Sequence, residues 1–424
     1  FRRGNRWSLY PSFSLGWKLS EESWFKEPTN GFFDELKIRG SYGSLANQAL
    51  DNGWYAYLSN YSTGTMGYLM GGQRNQYVLP GALVSSTVTW EKVTQWDLGL
   101  DFAVLNNRLK GTFDYYQRAT TGMLGAGKLL PNILGISEPQ ENAADMVTRG
   151  WELALSWNDQ FENGLHYSIG FNLSDTQAEI TKFDNPTKSL SSSYYEGQII
   201  GEIWGYESTL FQSQEEIDNA PDQSLIDGGL NKIPGDIKFI DVNKDGVVDY
   251  GDNTVGNSGD KKIIGNSSAR YRYGFNLSAD WKGFDLGIFF QGVGKRDILL
   301  PNTFRWQYGS QWQVPTAVAN DYWTENNTDA WFPVARFNGG GALGQNQTRY
   351  LLNGAYLRLK SLSFGYTLPV ELTKTVGIQK CRIYFTGENL LTFKHTPEGF
   401  DPELSNPYDY PQQKSLSVGV NVVF

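Results

Sequence analysis

The chain has a single cysteine, Cys381, in 424 residues. It therefore carries no internal disulfide framework and no CxxC metal or redox motif. Its two histidines, His166 and His395, join no recognisable triad or metal cluster and read as polar surface residues. No run of about 18 apolar residues occurs, which excludes a transmembrane helix. It does not exclude a transmembrane barrel, whose strands alternate apolar and polar residues and keep the mean hydropathy, here -0.44, in the soluble range. No basic tract is present and the net charge is -9, so nucleic acid is not an expected partner. GxSxG, HExxH and GxxxxGK[ST] are absent, and no carboxylate pair is spaced for hydrolysis, so no enzymatic activity is expected. The chain opens FRRGNRWSLY, with neither Met nor a signal peptide; the expectation is that Phe1 is not the biological start and that targeting sequence lies upstream.

What the chain has in quantity is aromatic residues, 15% of the total, and glycine, 47 residues, with charged residues at 19%. Strands and tight turns favour that mixture. The final stretch QKSLSVGVNVVF places Leu416, Val418, Val420, Val422 and Phe424 on one parity and Ser415, Ser417, Gly419 and Asn421 on the other. The same period of two recurs in 95–102, 109–115, 151–157, 165–174 and 271–281. It predicts about eleven strands, at 6–18, 34–45, 88–104, 108–118, 147–158, 164–178, 268–281, 284–294, 352–368, 379–391 and 413–424. In the strand at 352–368 the apolar parity switches after Leu359, which predicts a β-bulge near Lys360-Ser361. Connections alternate between short turns, such as Leu105–Arg108 and Lys282-Gly283, and long segments rich in Gly, Asn, Ser, Trp and Tyr.

Two architectures accommodate these strands: a soluble sandwich or propeller, and a transmembrane barrel whose apolar parity faces lipid. Three features favour the all-β transmembrane antiparallel barrel. Aromatics stand at strand ends (Trp7 and Trp17, Trp151 and Trp157, Tyr271 and Trp281), the opposite parity is small or charged, and short turns alternate with long loops. A last strand ending in a bare Phe resembles the terminal signal read by the outer-membrane barrel assembly machinery. Eleven strands leave an open edge, which hydrocarbon does not tolerate, so further strands are expected upstream.

Specific stretches then carry a family resemblance. GEIWGYESTLFQSQEEID (201–218), PGDIKFIDVNKDGVVDYGDNTVGN (234–257), RYRYGFNLSADWKGFDLGIFFQG (270–292), YLRLKSLSFGYTLP (356–369), CRIYFTGENLLTF (381–393) and GFDPE (399–403) are similar, in order and spacing, to the C-terminal part of the SusC/RagA family of TonB-linked outer-membrane transporters. The resemblance covers nearly all of 1–424. It implies a 22-stranded barrel in a Gram-negative outer membrane, with a plug and a TonB box expected upstream and a SusD-like surface lipoprotein as lid. It also implies import of oligosaccharides or peptides. Oligosaccharide is the first expectation here, because aromatic faces stack on sugar rings; the loop candidates are Trp54, Tyr55, Trp306, Tyr308, Trp312 and Trp323. For any single one of these aromatics, packing of loop against loop or against the lid is the first expectation, with a few touching substrate. A passive porin or adhesin, or a soluble glycan-binding module, stands as the alternative.

One further motif is read from the residues themselves. DVNKDGVVDYGD, 241–252, lies within a long extracellular loop expected at 179–267. It sets Asp241, Asn243, Asp245, the Val247 carbonyl, Asp249 and Asp252 at positions 1, 3, 5, 7, 9 and 12, with Gly246 at the sharp turn. That is the oxygen-ligand spacing of an EF-hand-type Ca2+ loop, with Asp in place of Glu at the last position, which shortens its reach. The expected role is structural: neutralising clustered carboxylates and stiffening the segment.

Overall fold

The computed structural model describes residues 7–47, 58, 61–81, 83, 88–126, 133, 139–301, 321–336, 341–404 and 409–424. Eleven strands form one sheet: β1 (Ser12–Lys18), β2 (Phe33–Asn47), β3 (Glu91–Val104), β4 (Leu109–Ala126), β5 (Gln140–Gln160), β6 (His166–Lys182), β7 (Arg270–Trp281), β8 (Phe284–Lys295), β9 (Tyr356–Thr367), β10 (Lys380–Lys394) and β11 (Ser415–Val423). Each pairs antiparallel with its chain neighbour, and β1 and β11 are the two edges of the sheet.

Turns at one end are tight because their residues accept positive φ. Leu105, Asn106 and Asn107 lie at φ 60°, 57° and 61°, and Lys282-Gly283 at 48° and 89° joins β7 to β8 in two residues. The opposite end carries the long segments, so short and long connections alternate as expected. One differs in extent. β4 and β5 continue to Ala126 and from Gln140, zipping up part of the expected 119–147 loop through two register shifts. Apolar alternation marks only the stretch of a strand that meets lipid, whereas backbone pairing continues beyond it.

The register aligns the apolar parity into rows. Trp17, Ile38, Leu100, Phe113, Leu153 and Leu173 are successive partners across β1 to β6. This face is uncovered: Leu98 is 58% exposed, Phe113 40% and Val418 77%. In a soluble sandwich a second layer would bury it; here lipid is the solvent that completes it. Aromatics fringe the band. Trp96 and Tyr115 lie 5.7 Å apart towards the long segments, and Phe284 and Tyr366 lie 4.5 Å apart beside the tight turns. The bulge falls at Lys360, which the pairing skips: Leu359 and Ser361 oppose Phe290 and Phe289 on one side, Leu391 and Glu388 on the other.

The two buried apolar clusters lie not in the sheet but in the long segments. Tyr206, Leu210, Ile226, Phe239 and Val248 from the 183–269 segment pack with Trp323, Ala330 and Leu343 from the 296–355 segment. A second cluster gathers Leu300, Phe332, Tyr350 and Leu352. The two longest mouth segments are therefore one packed cap rather than separate loops.

Candidate functional site

The inner face of the sheet is polar and laced with ion pairs. Arg39 spans two neighbouring strands, reaching Asp101 at 3.1 Å on β3 and Asp114 at 2.6 Å on β4. Arg382 on β10 pairs across β9 with Asp285 on β8. Each guanidinium crosses a small residue. A Cβ on Gly99 would lie 2.5 Å from the Arg39 guanidinium carbon, and one on Gly365 would lie 2.5 Å from an Arg382 nitrogen. The charges sit opposite the lipid face, so the wall is water-facing inside and apolar outside, as a channel or transporter wall requires.

Near the mouth, the GFDPE segment folds onto this wall. Arg358 of β9 is 3% exposed; its Nη2 donates to Asp401 Oδ1 at 2.7 Å and its Nε to Thr392 Oγ1 at 2.9 Å, while Nη1 lies 3.1 Å from Glu403 Oε2. Lys360, the bulge residue, donates to the same Glu403 oxygen at 2.6 Å. Burial pushes the Asp401 carboxyl upward, but Arg358 and the N–H groups of Glu403 and Gln412 outweigh it and hold the group below its ordinary value. Nothing in the sequence singled out Arg358; its partner Asp401 is 43 residues away and only the short GFDPE stretch hints at it.

The Asp241–Asp252 loop turns as its sequence leads one to expect. Gly246 stands at φ 92°. Asp241 accepts from the N–H groups of Lys244 and Gly246, Asn243 Oδ1 accepts from Asp245 N, and Asp245 Oδ1 from Val247 N. Asp260, fully buried, braces the loop from behind by accepting from Val242 N at 2.7 Å and Asp249 N at 2.9 Å. Asp249 and Asp252 face elsewhere, towards Gly251 N and Asn257 Nδ2. Among the described residues no group of three or more His, Cys, Asp or Glu side chains stands ready to hold a metal ion.

Of the aromatic candidates, Trp54, Tyr55, Trp306, Tyr308 and Trp312 lie outside the described residues. Trp323 is described and corrects the expectation: it is 6% exposed, packs in the larger cap cluster and donates its Nε1–H to Gln212 at 3.2 Å. It is a packing residue, closed off by a segment more than a hundred positions earlier. Trp331 is likewise tied inward, to the Arg349 carbonyl at 3.0 Å.

No protein-family model matches the chain. It is 29% identical over 435 residues to TonB-dependent receptor P3 of Formosa agariphila, covering 99% of this chain and 41% of that protein. It is 24% identical over 442 residues to TonB-dependent receptor SusC of Bacteroides thetaiotaomicron, covering 100% and 41%. Among solved structures it superposes on the RagAB peptide transporter with a TM-score of 0.77 at 22% identity, over 100% of this chain and 44% of that one. The RagAB peptide importer in its open-open state gives 0.76 over 99% and 43%. The fold and its two faces define a wall of an outer-membrane-type β-barrel. The chain is similar in sequence to TonB-dependent receptors, SusC among them, and shares its fold with the RagAB transporter. It spans less than half the length of the curated relatives it matches.

Proposed function

We propose that this chain forms part of an active importer in a Gram-negative outer membrane, taking up oligosaccharides with a SusD-like lipoprotein lid and TonB energy coupling. The observation that carries this is the union of a lipid-facing apolar band, an ion-paired inner wall and a packed cap at the mouth. A passive pore needs the first two only. Polar, charge-paired walls suit a hydrated oligomer that slides past many weak hydrogen-bonding groups. Import of peptides is the second reading, favoured by the likeness to RagAB and by the correction at Trp323, which removes one sugar-stacking candidate.

The test uses the native, detergent-extracted particle. Co-purification of a surface lipoprotein, together with loss of oligosaccharide uptake and retention of peptide uptake in a deletion strain, is the expected result. A particle with no partner, in a strain whose uptake is unchanged, would leave a porin or adhesin.

Calcium at Asp241, Asn243, Asp245, Val247, Asp249 and Asp252 belongs to the same reading. The loop already makes the turn such a site needs. Binding would require Asp249 and Asp252 to swing away from Gly251 and Asn257, which links occupancy to the local fold. Added Ca2+ should therefore protect the 241–260 stretch from protease and a chelator should expose it. Identical cleavage with and without chelator would leave the loop as a hydrogen-bonded turn.

A further inference from the structure

We infer that the inner wall at the mouth carries an anion-recognition site, centred on Arg272, for carboxylate or sulfate groups on the transported oligomer. The inference rests on the importer reading above and names the substrate class it favours.

A cavity of about 410 Å3 opens where the 183–269 segment rejoins the wall. That lies within the roughly 300–1,000 Å3 of small-ligand sites. Three arginines line it, Arg270, Arg272 and Arg296, with hydroxyls from Thr148, Thr176 and Ser267, and no Asp or Glu is among its lining residues. The composition runs the other way over the whole chain, which has 45 acidic and 36 basic residues. The concentration of positive charge is therefore local.

The three cations are compensated unequally. Arg270 is neutralised by a two-pronged pair with Asp175, which is itself nearly buried. Arg296 donates only to backbone carbonyls, those of Ser267 at 3.3 Å and Pro402 at 3.2 Å, which orient the guanidinium without cancelling its charge. Arg272 is exposed, and its side chain has no hydrogen bond or ion pair among the described residues. Among the described residues two positive charges are thus left facing one cavity. A guanidinium presents paired N–H donors that match a carboxylate or sulfate.

The backbone here is specialised too. Tyr271 stands at φ 53°, a region that residues with a Cβ rarely adopt, and pairing skips it: Arg270 opposes Lys295 and Arg272 opposes Val293. Across from it is Gly294, where an added Cβ would lie 3.0 Å from the Tyr271 Cβ. The kink brings both flanking arginines to the same cavity.

The full-length receptor, with whatever lipoprotein co-purifies, would be titrated by calorimetry against three tetramers: tetragalacturonate, neutral maltotetraose and tetraglutamate. Tetragalacturonate should bind about tenfold or more tighter than maltotetraose, as one charge-assisted contact allows. Arg272→Gln should erase that difference and leave maltotetraose unchanged; Arg272→Lys should keep part of it. Among the described residues the Arg272 side chain has no partner to orphan, so the variants should fold, which heat-modifiable electrophoresis checks. Equal affinity for charged and neutral sugar, a preference that survives Arg272→Gln, or no binding of either charged tetramer overturns the site. If maltotetraose alone binds, glycan import stands and the anion site falls. If tetraglutamate alone binds, dependent on Arg272, the anion site stands and the glycan reading falls.

Discussion

Arg358→Met should release the Gly399–Glu403 segment from the wall at a cost of roughly 3–5 kcal/mol, the range for removing one partner of a buried ion pair. The substitution keeps the length of the side chain and removes its charge. Asp401 and Glu403, whose side chains are 5% and 14% exposed, would then lose the guanidinium that offsets their desolvation. Lys360 still holds one Glu403 oxygen, so Asp401 is the residue left stranded. Hydrogen exchange should rise sharply over 396–404 and 409–414, while β9 and β10 keep their protection because their ladder does not depend on the pair. Arg358→Met with Asp401→Leu should recover much of the loss, since an apolar replacement of both partners removes the stranded charge. Unchanged exchange in the single variant would mean that the other contacts, Lys360 to Glu403 and Arg296 to the Pro402 carbonyl among them, hold the segment without the Arg358 pair. Acid should mimic the mutation. The Asp401 carboxyl is held below its ordinary value, so its contribution is present above about pH 4. It is lost as pH falls through the lowered value of the folded state.

Leu98→Arg should destabilise the barrel by about 2–4 kcal/mol if Leu98 lies near the bilayer midplane. Leu98 is mid-strand in β3, on the lipid-facing parity, between Gly40 and Tyr115. The chain's own charges show the depth dependence. Arg149 shares that outward parity with Trp151 but lies one step closer to the mouth, where it pairs with Glu179 at 3.1 Å. Gln117→Glu, beside Arg149, should therefore change stability little, within about 1 kcal/mol. Denaturant unfolding of the full receptor in lipid gives both numbers. A Leu98→Arg protein as stable as the parent would mean that this face meets water or protein instead.

These two sites differ in how far the sequence foretells them. All eleven strands, their order and their inward and outward faces follow from alternation, because lipid is an external solvent that acts on every second residue independently. The bulge at Lys360 is legible for the same reason: skipping one residue flips the parity that lipid selects, and Leu359 and Leu362 record the flip. The turn of the Asp241–Asp252 loop is local chemistry, and its spacing is visible in twelve residues. The cap is different. On its sequence alone Trp323 reads as either a stacking or a packing aromatic, and Gln212, 111 residues earlier, closes over it. Ser208 meets Gln347 across 139 residues. Arg358, Arg270 and Arg272 look alike as single arginines on a polar parity. Whether each ends paired with Asp401, paired with Asp175 or facing open water depends on which distant segment folds back onto the wall. Periodicity reports what each residue's solvent is; only the tertiary structure decides which charge finds a partner, because that depends on contacts between segments far apart in the chain.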